Sequence, residues 1–241
     1  MKRFLLVLTL VVLVVTISGC ATLPFNLGGC KNVIKPKEKI VLFNGKDFTG
    51  WVRKLKDPNV DVDSIWSVKD GILYCTGAVK GYIRTEAKYA DYFFHVEYRW
   101  PEKGGNSGVL AHMQGPDNVW PKSIECQMLT GKAGDFLVIG TGEKYLKNIQ
   151  IEQRAKGGPR VEVNQYVNNR RVRKLKDSSE KPIGEWNTYE VLCMDDWIVV
   201  LVNGVLQNVA TKSTLTCGSI CLQSELTPVE FRNIYVEPVD Y

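Results

Sequence analysis

WIVVLVNGVL, residues 197–206, decides the fold class. An apolar run ending in Val202 meets Asn203-Gly204, and the chain turns apolar again at Val205-Leu206. Asn-Gly accepts positive φ at both central positions of a two-residue turn, and the valines on either side suit a pleated, half-buried surface. The stretch therefore predicts a β-hairpin.

The same chemistry repeats outward from this hairpin. Ile65 to Val68, Ile72 to Thr76, Tyr92 to Trp100, Gly108 to Gln114, Ser123 to Leu129, Asn148 to Gln153, Val161 to Tyr166, Tyr189 to Cys193, Ile220 to Gln223 and Val229 to Val236 all read as strands. Lys69-Asp70-Gly71, Gly104-Gly105-Asn106 and Asp195-Asp196 punctuate them as turns. No long helix-period segment and no internal repeat interrupts the series. The expectation is an all-β chain folded as a two-sheet jelly-roll sandwich around one core. A length of 241 residues fits one such domain.

The first residues do not belong to it. Met1-Lys2-Arg3 is basic, Phe4 to Ile17 is almost wholly apolar, and Ile17-Ser18-Gly19 puts small residues before Cys20. The apolar run is too short to span a membrane, so residues 1–19 read as a secretory signal. The small residues before Cys20 resemble the bacterial lipobox, which implies lipid attachment at Cys20. Residues 20–39, with prolines, glycines and lysines, read as a linker, and residues 40–241 as the folded domain. The chain is thus expected to be an exported lipoprotein of the cell envelope, held to the membrane by its anchor.

Formal charge is +5, from 31 basic and 26 acidic residues, and falls further once Lys2 and Arg3 are removed. That is too mild to argue for a nucleic-acid partner. The densest basic run, Arg170-Arg171-Val172-Arg173-Lys174-Leu175-Lys176, reads as a solvated loop. Cys30, Cys75, Cys126, Cys193, Cys217 and Cys221 show no zinc-ligand spacing. Most lie in apolar runs and read as buried thiols rather than a disulfide framework.

Alternation splits each strand into two faces. In Ser123 to Leu129, Ile124, Cys126 and Met128 form a core set against Ser123, Glu125 and Gln127. In Gly108 to Gln114, Val109, Ala111 and Met113 oppose Gly108, Leu110, His112 and Gln114. In Tyr92 to Trp100, Phe94, Val96, Tyr98 and Trp100 oppose Phe93, His95, Glu97 and Arg99. Near the C-terminus, Gln223 and Glu225 share one set and Arg232 belongs to another. These polar sets hold carboxylates, carboxamides and imidazole while lysines crowd the loops, a composition suited to bonding sugar hydroxyls in a cleft. Trp120, beside Pro121, is the tryptophan best placed as a stacking platform.

Leu42-Phe43-Asn44-Gly45-Lys46-Asp47 with Gly50-Trp51, Trp66-Ser67-Val68-Lys69-Asp70-Gly71, Gly105-Asn106-Ser107-Gly108-Val109, Ile124-Glu125-Cys126-Gln127, Gly184-Glu185-Trp186-Asn187-Thr188-Tyr189-Glu190 and Phe231-Arg232-Asn233-Ile234 occur in that order. Together they resemble the bacterial 3-keto-disaccharide hydrolase family, over roughly residues 39–238. The chain departs from that family's commonest pattern at Thr130 and His112. The resemblance implies a concanavalin A-like fold and action on glucosides oxidised to a ketone at carbon 3, as hydrolase or as lyase followed by hydration.

Such chemistry needs a base for the carbon 2 proton, a stabiliser of the enolate and an acid for the departing oxygen. Glu125 is the candidate base, with His112 as acid or base and Gln127 beside them. Asn106, Glu97, Trp120, Gln223, Glu225 and Arg232 are candidate substrate contacts. A divalent cation is an alternative stabiliser, since carboxylate, imidazole and carboxamide suit one. A direct two-carboxylate glycosidase would need a second acid on the Glu125 strand, but Leu129 stands four residues on, leaving Glu225 or Glu97 to serve across the sheet. A non-catalytic carbohydrate-binding lipoprotein would use the same contacts.

Overall fold

The structure is a computed structural model, describing residues 30–140, 151–154, 160–163 and 171–239; side chains are described outside 151–154 and 160–163. Cys20 and residues 1–19 lie outside the described residues.

The described chain contains no α-helix, only one 3-10 turn at Val62–Ser64. Two large sheets make a sandwich. A seven-stranded sheet runs in the order Arg171–Val172, Phe136–Ile139, Lys122–Gln127, Gly108–Gln114, Ser219–Ser224, Gly81–Thr85, Trp51–Leu55. A ten-stranded sheet runs Arg160–Val163, Ile151–Arg154, Val205–Thr211, Trp197–Val202, Asn187–Met194, Tyr92–Arg99, Val229–Pro238, Ile72–Cys75, Trp66–Lys69, with Ile40–Val41 also on the Val229–Pro238 strand. All pairings in both are antiparallel. The all-β jelly-roll reading is right.

The hairpin that decided the fold class forms as read: Val202 pairs with Val205, and Asn203 and Gly204 take φ of 51° and 74°. Of the expected strands Asn148 to Gln153 and Val161 to Tyr166, the described parts are Ile151–Arg154 and Arg160–Val163.

One core lies between the sheets. Ile124, Cys126 and Met128 face Phe94, Val96, Tyr98, Val191, Val200 and Phe231, all fully buried. Burying each of the large apolar side chains contributes about 1.5–3 kcal/mol. The core halves of the alternation thus fall where the sequence puts them, with one break. At His112 the backbone takes φ 55°, and the ladder shifts register on both sides, between Lys122 and Ile124 and between Ser219 and Cys221. This β-bulge inverts the parity beyond Ala111. Met113 therefore joins the face away from the core, and His112 turns inward against Tyr92.

The cysteines divide. Cys75, Cys126, Cys193 and Cys221 are buried thiols, as read, whereas Cys30 and Cys217 form a disulfide. That bridge fastens the start of the described chain to the seven-stranded sheet, beside a short parallel pairing of Val33–Ile34 with Lys88–Tyr89. The contact joins positions 187 residues apart, which spacing in the sequence does not reveal.

The basic run is not a free loop either. Arg171–Val172 is an edge strand of the seven-stranded sheet, with Val172 in the core and the Arg171 Nε donating to Asp135 at 2.6 Å.

Candidate functional site

The face of the seven-stranded sheet turned away from the core carries the site. One row of directly paired residues crosses it: Arg171, Leu137, Glu125, Leu110, Cys221, Arg84. Paired residues on neighbouring antiparallel strands point the same way, so these side chains share a surface. Tyr82, Leu110, Met113, Ile139 and Cys221 form an apolar floor, with Leu137 and half-buried Trp120 packed on it. An apolar floor carrying a few polar groups has the make-up of a ligand site.

Glu125 is 3% exposed and makes no hydrogen bond among the described residues. Gly108 pairs with Gln127 on the next strand and lies beneath it. A Cβ added at Gly108 would sit 2.8 Å from both Glu125 Oε1 and Gln223 Oε1, so the missing side chain is what lets these two groups converge. Gln223 is buried, and neither its Nε2 nor its Oε1 has a hydrogen-bond partner. Asn106, bridged to Glu225 at the end of the same two strands, has an unpartnered buried Oδ1. Buried polar groups are nearly always satisfied, so three unpaired groups on one surface mark a place prepared for something else to bond.

The Glu125 carboxyl is pushed up to about 8, first by burial and then by the negative charge of Glu225, with Arg171 pulling the other way. Glu225 pairs with Lys80 at 3.3 Å, and that ammonium stands 5.4 Å from the Trp120 ring centroid. At the far side of the floor the Arg84 guanidinium grips Asp117 bidentately at 2.7 and 2.9 Å, and Tyr82 Oη donates to the same carboxylate at 3.0 Å. The Arg84 contact holds Asp117 below the usual carboxylate range. Gln127 turns its Oε1 back onto the N–H groups of Met128 and Leu129, both at 2.9 Å. Its side-chain carbonyl is therefore engaged in ending the strand.

Three of the sequence candidates lie elsewhere. His112 is sealed between the sheets, its Nδ1 donating to the Leu215 carbonyl at 2.7 Å and its ring edge-on to Tyr92. Burial outweighs that hydrogen bond and pushes it down to about 4, so it stays neutral. The bulge that turns it inward removes it from any role in acid–base chemistry on the site face. Glu97 and Arg232 are on the other sheet, on its outer face, where the Arg232 Nε donates to Glu97 at 2.6 Å and Asn233 Nδ2 at 2.7 Å. Their alternation is correct, but it refers to a different sheet. Arg84, Asp117, Tyr82, Lys80, Arg171 and Gly108 also belong to this candidate site, none of them expected from the sequence. Tyr82 and Arg84 alternate with Ile83 and Thr85 in Gly81–Thr85, which is the signal that would have found them.

The other motifs are structural. Asn44 Oδ1 accepts from the N–H groups of Lys46 and Asp47, and Trp51 Nε1 donates to the Leu42 carbonyl, closing a turn. Thr130 Oγ1 accepts from Gly105 N–H at 2.9 Å and braces the loop leading to Asn106. Among the described residues, no group of three or more His, Cys, Asp and Glu side chains is placed to hold a metal ion. With His112 turned away, the carboxylate and imidazole set expected for a cation does not assemble here.

Three solved structures share this fold. A candidate glycosyl hydrolase from Parabacteroides distasonis ATCC 8503 superposes with a TM-score of 0.58 at 23% identity, covering 87% of this chain and 99% of its own. A second from the same organism gives 0.57 at 20%, covering 84% and 100%. The carbohydrate-binding module CBM66 from Bacillus subtilis gives 0.51 at 10%, covering 78% and 95%. No curated protein sequence matches the chain. A family model does match, over residues 38–237: the chain belongs to the 3-keto-alpha-glucoside-1,2-lyase-like domain family.

Proposed function

We propose that the protein cleaves glycosides whose sugar carries a ketone at carbon 3, using Glu125 and Glu225 as a proton-transfer pair. The observation that carries this reading is Glu125 itself, a buried carboxyl with no hydrogen-bond partner beside a second carboxylate that raises its pKa. A carboxyl held protonated by burial beside a second carboxylate's negative charge divides naturally with it into an acid and a base.

A ketone at carbon 3 acidifies the proton on carbon 2. Glu225 takes that proton, the C–H electrons form the enolate, and the enolate expels the carbon 1 oxygen. Protonated Glu125 donates to the departing oxygen, so its role is that of the acid rather than the base expected from sequence. Hydration of the resulting double bond runs the two transfers backwards: Glu125 takes a proton from the water adding at carbon 1, and Glu225 returns one to carbon 2. The buried Gln223 amide, with no other partner, donates to the enolate oxygen, and Asn106 Oδ1 accepts from a sugar hydroxyl. The apolar floor keeps water away, which strengthens each of these contacts.

Cys20 is proposed as a lipid anchor tethering the domain in the cell envelope. The Cys30–Cys217 disulfide supports export, since such bonds persist in oxidising compartments.

The test is to incubate residues 21–241 with a disaccharide and its 3-keto form and follow released monosaccharide. Release from the 3-keto form alone is expected. Release from both at equal rates would replace the enolate route with direct hydrolysis, and binding without release would leave a carbohydrate-binding protein.

A further inference from the structure

Lys80 immediately precedes the strand Gly81–Thr85, whose first residue pairs with Ser224 on the neighbouring strand. One step beyond that pair Lys80 comes opposite Glu225, and Glu225 is bridged to Asn106 on its other side. Lys80, Glu225 and Asn106 therefore stand abreast at one end of the seven-stranded sheet. Lys80 lies two residues before Tyr82 and Glu225 two after Gln223, so alternation turns both toward the site face. The contacts agree. Lys80 Nζ is 3.3 Å from Glu225 Oε1 and 5.4 Å from the ring centroid of Trp120, which packs on the apolar floor. The main chain here is fixed, the Lys80 carbonyl accepting from the Lys56 N–H at 2.8 Å, whereas the Lys80 side chain keeps 34% of its surface exposed. A flexible stem ending in three donors can thus turn from Glu225 to a ligand. Arg84, gripped bidentately by Asp117 across the floor, has no such freedom.

The reaction gives that freedom a use. When Glu225 takes the carbon 2 proton it becomes neutral, and the C–H electrons place one negative charge on the carbon 3 oxygen. The charge that Lys80 faces leaves the carboxylate and reappears on an oxygen attached to the neighbouring carbon. A cation touching the base is within a side-chain rotation of that oxygen. We propose that Lys80 is a catalytic residue, its ammonium passing from the Glu225 carboxylate to the enolate oxygen during proton abstraction and returning when carbon 2 is reprotonated. This rests on the 3-keto reading above. Lys80 keeps its own protons throughout, and the Gln223 amide bonds the same oxygen from the adjoining strand. Because the new contact forms only as enolate charge develops, it is stronger in the transition state than with bound substrate, the condition for raising kcat.

The test compares turnover of a 3-keto disaccharide by wild type, Lys80→Met, Lys80→Arg, Glu225→Gln and the Lys80→Met, Glu225→Gln double variant. Each is first checked for an unchanged melting temperature, and Lys80→Gln replaces Lys80→Met if that variant melts early. Lys80→Met keeps the apolar stem and should lower kcat about 10²-fold or more, with KM changed less than about threefold. Lys80→Arg, which keeps the charge, should lose less. In the Glu225→Gln background, Lys80→Met should slow the residual turnover further, by about tenfold, since enolate charge still develops there. Turnover by Lys80→Met within about threefold of wild type, or a change confined to KM, overturns the assignment while the 3-keto reading stands. Equal losses in the Met and Arg variants overturn it too. No further loss in the Glu225→Gln background makes Lys80 a support for Glu225 alone and also overturns it. If wild type itself releases nothing from the 3-keto form, the 3-keto reading falls and this assignment with it.

Discussion

The outer face of the ten-stranded sheet and the outer face of the seven-stranded sheet look alike in sequence, since both alternate apolar with polar residues. In the structure they differ in whether the polar groups are answered. On the ten-stranded sheet, Glu97 is bonded by Arg232 and Asn233, Arg99 by Glu230, and Lys39 meets Glu237. On the seven-stranded sheet, Glu125 and Gln223 are buried and make no side-chain hydrogen bond among the described residues, and half-buried Asn106 keeps a buried Oδ1 unbonded. Paired charges at a surface serve solubility and a little stability, whereas unpaired polar groups in a dry place cost stability and persist for a ligand.

The largest effect expected from breaking this contrast is in Glu125→Gln. Turnover of a 3-keto-glucoside should fall about 10²–10⁴-fold, as loss of a positioned proton donor does, with sugar binding largely kept. A variant retaining turnover would assign the acid elsewhere.

The same substitution should change how stability depends on pH. The folded Glu125 value, about 8, lies above the 4.5 of an ordinary glutamate, so the native state holds the extra proton. Its contribution is complete below pH 4.5 and is lost as pH rises through 8, by up to about 1.4 kcal/mol per pH unit. His112 works in the opposite sense: its folded value of about 4 lies below 6.5, so its contribution is full above pH 6.5 and lost as pH falls toward 4. Urea unfolding across this range should show wild type losing stability on the alkaline side and Glu125→Gln losing much less. Parallel profiles would place an ionised carboxylate at position 125.

Gly108→Ala sharpens the geometry. The new methyl would sit 2.8 Å from Glu125 Oε1 and Gln223 Oε1 and 3.0 Å from Glu125 Cγ, all side-chain atoms, so the fold should tolerate it while both groups are displaced. Activity is expected to drop about tenfold to a hundredfold with little change in melting temperature. Unaltered activity would mean that the convergence over Gly108 is unimportant. Glu225→Gln removes the charge that helps hold the proton on Glu125. Any residual activity should then lose its alkaline limb at lower pH than wild type. Smallest of all, Glu97→Gln on the other sheet should change turnover less than about twofold and stability by less than about 1 kcal/mol.

The sequence made the strands and the core halves legible because alternation is local: Ile124, Cys126 and Met128 could be separated from Glu125 and Gln127 by counting. Which sheet a strand joins is not local, and Glu97 and Arg232 were drawn into the site on an alternation that belongs to the opposite wall. Nor is a bulge visible in a run such as Val109 to Met113, where one residue with positive φ exchanges the faces of His112 and Met113. The meeting of Arg84 with Asp117 is not legible in the sequence because it spans 33 residues. The basic run looked like solvent-facing charge because nothing in it shows that Asp135 fastens it to a sheet edge.

The most direct measurement is a ¹³C NMR titration of the Glu125 carboxyl, assigned through Glu125→Gln, with and without a saccharide. A midpoint near 8 that moves when the sugar occupies the site is expected. A midpoint near 4.5, indifferent to sugar, would contradict it.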